Sequence, residues 1–136
     1  MQSDLFTLNI FLTMHFSQLE KRAILTFANQ MIKADGKLAI DEIVAAKTWF
    51  DVVGFSESDI KSDCLESSQA LAVVSNLTYD EKRVVASILI TIMIADGNID
   101  DKEQVLINLI TSLCNLPEMS AGDVKKTLED LRDGKI

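Results

Sequence analysis

The side chains best placed to do chemistry in this chain gather in two short acidic stretches. Asp35, Gly36 and Glu42 mark the first, and Asp96, Gly97, Asp100, Asp101 and Glu103 mark the second. Each begins Ala-Asp-Gly and places a glutamate seven residues after the aspartate, and the two copies stand 61 residues apart. Carboxylates crowded into a turn suit a hard divalent cation, which takes oxygen ligands. The second stretch is the richer: Asp96, Asp100, Asp101 and Glu103 against Lys102 leave a local charge of −3. In the first, Asp35, Asp41 and Glu42 against Lys37 leave −2, and Ala39 stands where the second has Asp100. The candidate metal ligands are therefore Asp35, Glu42, Asp96, Asp100, Asp101 and Glu103, with the second turn the better site.

By residue type, Asp35-Gly36-Lys37-Leu38 with Glu42, and Asp96-Gly97-Asn98-Ile99 with Glu103, match positions five to eight and twelve of a calcium-binding EF-hand loop. The first and third positions of such a loop also supply oxygens. Here they fall on Met31 and Lys33 in one copy and on Ile92 and Ile94 in the other. None of these four can ligate a hard cation, so a true EF-hand is excluded. A purely structural reading accounts for the same residues. The aspartate accepts turn amides, the glycine takes positive φ, and the glutamate fits the N3 position of the next helix, near its orphan amides and dipole.

The elements that must carry these turns follow from apolar periodicity and capping signals. Val84 to Ala95 contains no charged residue and only two hydroxyls. It predicts a helix buried on every side, the pillar of the core. Capping boxes are predicted at Ser17/Glu20, Thr78/Glu81 and Asp100/Glu103, and shorter cap signals at Ser56/Asp59 and Ser120/Asp123. Ile24, Phe27, Met31 and Ala34 recur at helical steps in the first helix. The second runs through Ile43, Val44, Trp49, Phe50 and Val53 to Gly54, with Trp49 and Phe50 read as core residues. A third is expected near residues 57–66, and a fourth, capped by Ser67 or Ser68, through Leu71, Val74 and Leu77. The sixth, from Asp101 to about Cys114, carries a wide stripe of Val105, Leu106, Leu109, Ile110 and Leu113. The seventh has a narrow seam of Val124, Leu128 and Leu131. The expected architecture is all-α: about seven helices in two pseudo-symmetric helical hairpin repeats, packed about an approximate two-fold axis.

At 136 residues the chain suits one domain, spanning residues 17–136. Residues 1–16 leave three readings open: an extra helix or strap packing Leu5, Phe6, Ile10 and Phe11, an upstream extension with Met14 the natural start, or a membrane-touching segment. The hydrophobic fraction of 48% with one proline and five glycines favours packed helices. A formal net charge of −8 without any basic block excludes a nucleic-acid backbone or an anionic membrane surface as partner. The longest uncharged core run falls short of the roughly 20 residues a membrane span needs. Cys64 and Cys114 have no CxxC spacing, and with His15 the single histidine they suggest two buried, reduced thiols in a cytoplasmic protein. No glycine-rich phosphate loop and no nucleophile with a plausible base is present, so no enzymatic activity is expected.

The paired motifs MIKADGKLAIDE and MIADGNIDDKE on a predicted all-helical chain of this length resemble the tellurite resistance protein TerB-like family, from about Ser17 to the C-terminus. The resemblance implies a compact seven-helix fold without established enzymatic activity, linked in some members to tellurite and other stress resistance. It also implies a divalent cation as possible cofactor, held by acidic turn residues, which here are Asp35 and Glu42 in the first turn and Asp96 and Glu103 in the second. The function expected on this basis is a small cytoplasmic binding module that meets a cation, or a protein partner in a stress-response or envelope-associated system. The alternative is a metal-free protein-interaction or scaffold domain whose acidic turns are only caps.

Overall fold

The computed structural model describes residues 14–34, 36 and 39–136. The candidate ligand Asp35, its neighbours Lys37 and Leu38, and the apolar residues Leu5, Phe6, Ile10 and Phe11 lie outside the described residues. Among those described there are seven helices and no strand: α1 (Gln18–Lys33), α2 (Ile40–Val52), α3 (Glu57–Ile60), α4 (Ser67–Ser75), α5 (Tyr79–Ile94), α6 (Asp101–Cys114) and α7 (Ala121–Arg132). The chain is all-α, and among the described residues no helix is long and apolar enough to cross a membrane.

Four helices start on complete capping boxes, at Ser17/Glu20, Ser56/Asp59, Thr78/Glu81 and Ser120/Asp123. In each, the hydroxyl accepts the N3 amide while the N3 carboxylate accepts the N-cap amide, so two orphan donors are satisfied at once. At α6 only half of this arrangement forms. Asp100 accepts from the amides of Lys102 and Glu103, whereas the Glu103 side chain is carried inside the fold. The start of α4 differs from expectation, since its N-cap is Glu66 and no side chain caps it. The third helix is likewise a single turn ending at Ile60 rather than running to residue 66. Too few apolar residues follow Ile60 to bury a longer helix.

Positions 61 apart carry the same local features. Gly36 and Gly97 both take positive φ, 75° and 81°, and their amides donate to the carbonyls of Lys33 and Ile94. Gly54 and Asn115 both sit in the left-handed region past the ends of α2 and α6. The following amides, of Phe55 and Leu116, donate back to Phe50 and Thr111. This is the six-to-one bond of a Schellman ending. The hydroxyls of Thr26 and Ser87 bond to the carbonyls of Arg22 and Arg83 in the same way.

The core is continuous from Phe16 to Leu131. Helix α5 runs through it, with Val84 to Leu89, Ile92 and Met93 buried, although Ile94 emerges into solvent where the acidic turn begins. Helix α1 packs on α4 and α5, and α2 lies against α5 more than against α1. Trp49 fixes that contact by donating its indole N–H to the Thr91 hydroxyl at 2.9 Å. Helix α7 is held to α5 through Arg83 and Asp130, 2.9 Å apart.

The apolar stripe predicted for α6 is only partly inward: Ile110 is buried and Leu106 packs against the core, but its other three members are exposed. Ile107, Ile110 and Cys114 are buried with Glu103, while Val105, Leu109 and Leu113 are exposed. Helix α2 shows the same phase, burying Glu42, Ala46, Trp49 and Phe50 and exposing Ile43 and Val44. One of the two cysteines also departs from expectation: Cys114 is buried, but Cys64 is exposed and accepts a hydrogen bond from Asn29.

Candidate functional site: acidic turns and an interhelical groove

Each acidic turn joins two helices, and its carboxylates are placed by the needs of those helix ends. Asp96 Oδ1 accepts the Asn98 amide at 3.0 Å, closing a local turn in which Gly97 supplies the positive φ. Asp100 Oδ1 accepts the Lys102 and Glu103 amides at 2.8 and 3.3 Å, as the N-cap of α6. Asp101 is exposed at the first position of that helix. Glu42 and Glu103 occupy equivalent N3 positions and are 0% and 1% exposed. The two glutamates thus head the buried faces of α2 and α6, whereas Asp96 and Asp101 face solvent. Among the described residues no three His, Cys, Asp or Glu side chains converge closely enough to hold a metal ion. The donor set of the second turn is therefore divided between inside and outside, and two of its four carboxylates already accept backbone amides.

The concave surface of the molecule lies beside the first turn. Helices α1 and α2 bound a groove of about 510 Å³ whose apolar lining comes from Ile32, Ile43, Ala46, Phe50 and Ile60. Lys33 and Lys47 border it, and Gly36 lies at the turn end. In sequence Ile43 and Phe50 read as core; Phe50 is buried, but Ile43 is exposed on the groove. The signal that locates the groove is the phase of α2: once Glu42 faces inward, Ile43 must face out.

A second groove of about 410 Å³ lies between α5 and α6 and is built from the equivalent positions. Met93, Gln104, Ile107, Asn108 and Thr111 stand there where the first groove has Ile32, Ile43, Ala46, Lys47 and Phe50. It is more polar, and the segment after α6 enters it. Met119 lines it, packs against the core and brings its sulfur to 4.0 Å from the Ser87 hydroxyl. The position 61 residues earlier is Ser58, which is exposed and pairs instead with Ser56.

One further carboxylate is strongly organised. Asp59 accepts from the Ser56 amide at 2.8 Å, from Gln18 Nε2 at 2.7 Å and from Lys21 Nζ at 3.0 Å. The Ser56 backbone bond, helped by Gln18 and Lys21, holds its carboxyl well below the usual carboxylate range despite burial. Its donors come from α1 and from the start of α3, so it clasps these elements together and faces no cavity.

The arrangement defines an all-α domain with an apolar-lined surface groove. It is similar to the crystal structure of PG1108, a protein of unknown function from Porphyromonas gingivalis W83, with a TM-score of 0.73 and 36% sequence identity over 85% of this chain and 92% of that one. The chain belongs to the same family as that protein. No family model and no curated protein matches it.

Proposed function

We propose that this chain is a TerB-like, non-enzymatic interaction module that takes up an apolar, amphipathic protein segment in the groove between α1 and α2. The observation that carries this reading is the groove itself: a concavity lined by Ile32, Ile43, Ala46, Phe50 and Ile60, of which Ile43 is exposed, with lysines at its border. A helix laid into such a groove buries its apolar face, and carboxylates on its flank would meet Lys33 and Lys47. Burial of apolar surface supplies the affinity, roughly 25 cal/mol for each Å² removed from water.

The residues of the second turn fit a resident cation poorly. Asp96 and Asp100 each already commit one carboxylate oxygen to the amides that close the turn and cap α6, and Glu103 would have to leave the core. The caps-only reading of the acidic turns is therefore the one adopted here, and a stress-response or envelope-associated protein is the class of partner proposed.

Two titrations test this. An amphipathic peptide of about four helical turns, with leucines on one face and glutamates beside them, is expected to bind with a Kd in the micromolar range. A scrambled peptide of the same composition should not bind, and Ile43→Asp should remove binding while keeping the helical circular dichroism. Calcium, magnesium, manganese and zinc at millimolar concentration and constant ionic strength should leave the melt unmoved. A saturable upward shift lost in Asp96→Asn with Glu103→Gln would restore the cation reading. Saturation at 100 times the dissociation constant would show as roughly 2.7 kcal/mol of added stability.

A further inference from the structure

We infer that the outward face of α6 is a homodimerisation surface, on which a second copy of this chain docks through Val105, Leu109 and Leu113 about a two-fold axis. The face is separate from the α1–α2 groove and does not depend on it. The three side chains follow one another at steps of four, so they form a single ridge along the helix. Each is more than half exposed, whereas the opposite side of α6 is seated in the core through Ile107, Ile110 and Cys114. The ridge presents roughly 300 Å² of apolar surface, the size of the largest such patches on monomeric proteins, which are often functional.

The corresponding surface of α2 shows what an ordinary wet helix carries. The positions 61 residues earlier are Val44, Thr48 and Val52, and beside them Lys47 and Asp51 form an exposed ion pair at 3.5 Å. In α6 Leu109 stands for Thr48, Asn108 for Lys47 and Ser112 for Asp51. The loss of charge extends further. A quarter of the chain is charged, yet no charged residue occurs from 104 to 117, nor from 67 to 79 in the stretch that contains α4. Helices α4 and α6 pack together, with the Ser75 hydroxyl 3.4 Å from the Leu113 carbonyl. The two uncharged stretches therefore adjoin, and Ala72 and Asn76 are exposed on α4.

Charge decides the occupant. The chain carries −8 overall, so two copies repel each other and can meet only where neither presents a charge. This face meets that condition. A charged partner finds nothing on it to pair with, and apolar residues in an uncharged setting are the composition of an interface core. The ridge is also complementary to itself. Crossing two copies antiparallel seats Leu109 against its own counterpart and Val105 against Leu113, with ridges interdigitating at about −50°. With the polar side chains around the ridge the contact covers about 600 Å² per copy, or about 1,200 Å² for the pair, the lower edge of stable interfaces. The dimer is accordingly a weak one, with a dissociation constant on the order of 10 μM.

Sedimentation equilibrium of the full chain, across two decades of concentration around that value, is expected to show a reversible monomer–dimer equilibrium. Leu109→Asp should weaken it about 100-fold with unchanged helical dichroism, because two carboxylates would face each other at the axis. The milder Leu109→Gln should weaken it about ten-fold. In a Cys64→Ser background, Leu109→Cys should oxidise to a covalent dimer by itself, whereas Val105→Cys and Leu113→Cys should do so only when mixed. A monomer at every concentration overturns the proposal. So does a dimer that Leu109→Asp leaves intact, since it would use another face. Flotation of a monomeric chain with phosphatidylcholine vesicles, abolished by Leu109→Asp, assigns the ridge to lipid and overturns it as well.

Discussion

At Asp59 a carboxylate is held from two sides, by Gln18 and Lys21 of α1 and by the amide that opens α3. All three donors favour its ionised form, so its folded pKa is depressed relative to an unfolded value near about 3.9. Its contribution is present in full above that unfolded value and is lost as pH falls below it. Asp59→Asn is expected to lose about 2 kcal/mol at pH 7, the scale of hydrogen bonds to a charged group. The gap from wild type should narrow on acidification below about pH 4, where the unfolded chain's carboxyl takes up a proton while the native one stays ionised. Urea unfolding of both proteins at pH 7 and pH 3 measures it, and an equal gap at the two pH values would show that shape rather than charge makes the clasp. The aspartates of the second turn differ in kind. Asp96 and Asp100 accept neighbouring backbone amides within their own turn, which stiffens a connection rather than joining distant elements.

The helices following the two turns share one rule, that the buried face starts at the N3 glutamate. In α6 the buried side is Glu103, Ile107, Ile110 and Cys114, spaced four, three and four residues. Ile107 is 5% exposed and Leu109 is 53% exposed. Ile107→Ala should therefore cost about 2–4 kcal/mol, within the range for emptying a core site, while Leu109→Ala should change stability by no more than about 0.5 kcal/mol. Denaturant unfolding of the pair reads the phase of the helix directly. Capping residues were the most legible part of the sequence, because Ser17, Ser56, Thr78 and Ser120 act within three residues of themselves. Helix phase was less legible, since a glutamate normally marks the wet side and Leu109 and Leu113 the dry one. The extent of α3 was misread for a related reason: its capping box is strong, but no apolar run sustains the helix beyond Ile60. The groove was legible only after the phase of α2 was known, because exposure of Ile43 is a tertiary outcome.

For the whole molecule the decisive feature is α5, which contacts α1, α2, α6 and α7. Ile88 lies at its centre with no exposed surface. Ile88→Ala is expected to cost roughly 2–5 kcal/mol, a large share of the few kcal/mol by which domains of this size are stable. Loss of less than about 1 kcal/mol in urea would mean that the surrounding helices close over the vacancy, and would weaken the picture of a single pillar. Because α5 touches α1, α2, α6 and α7, this loss should appear as one cooperative transition rather than as separate melting of parts of the chain.

The bond between Trp49 and Thr91 has a practical consequence. This indole is the single one in the chain and lies buried exactly where α2 meets α5. Its emission reports one chosen joint without any added dye. In the native protein the spectrum should lie toward the blue and resist iodide quenching, and it should move to the red as that joint opens. Stopped-flow recordings of this signal beside far-ultraviolet dichroism would time the docking of α2 onto α5 against the winding of the helices.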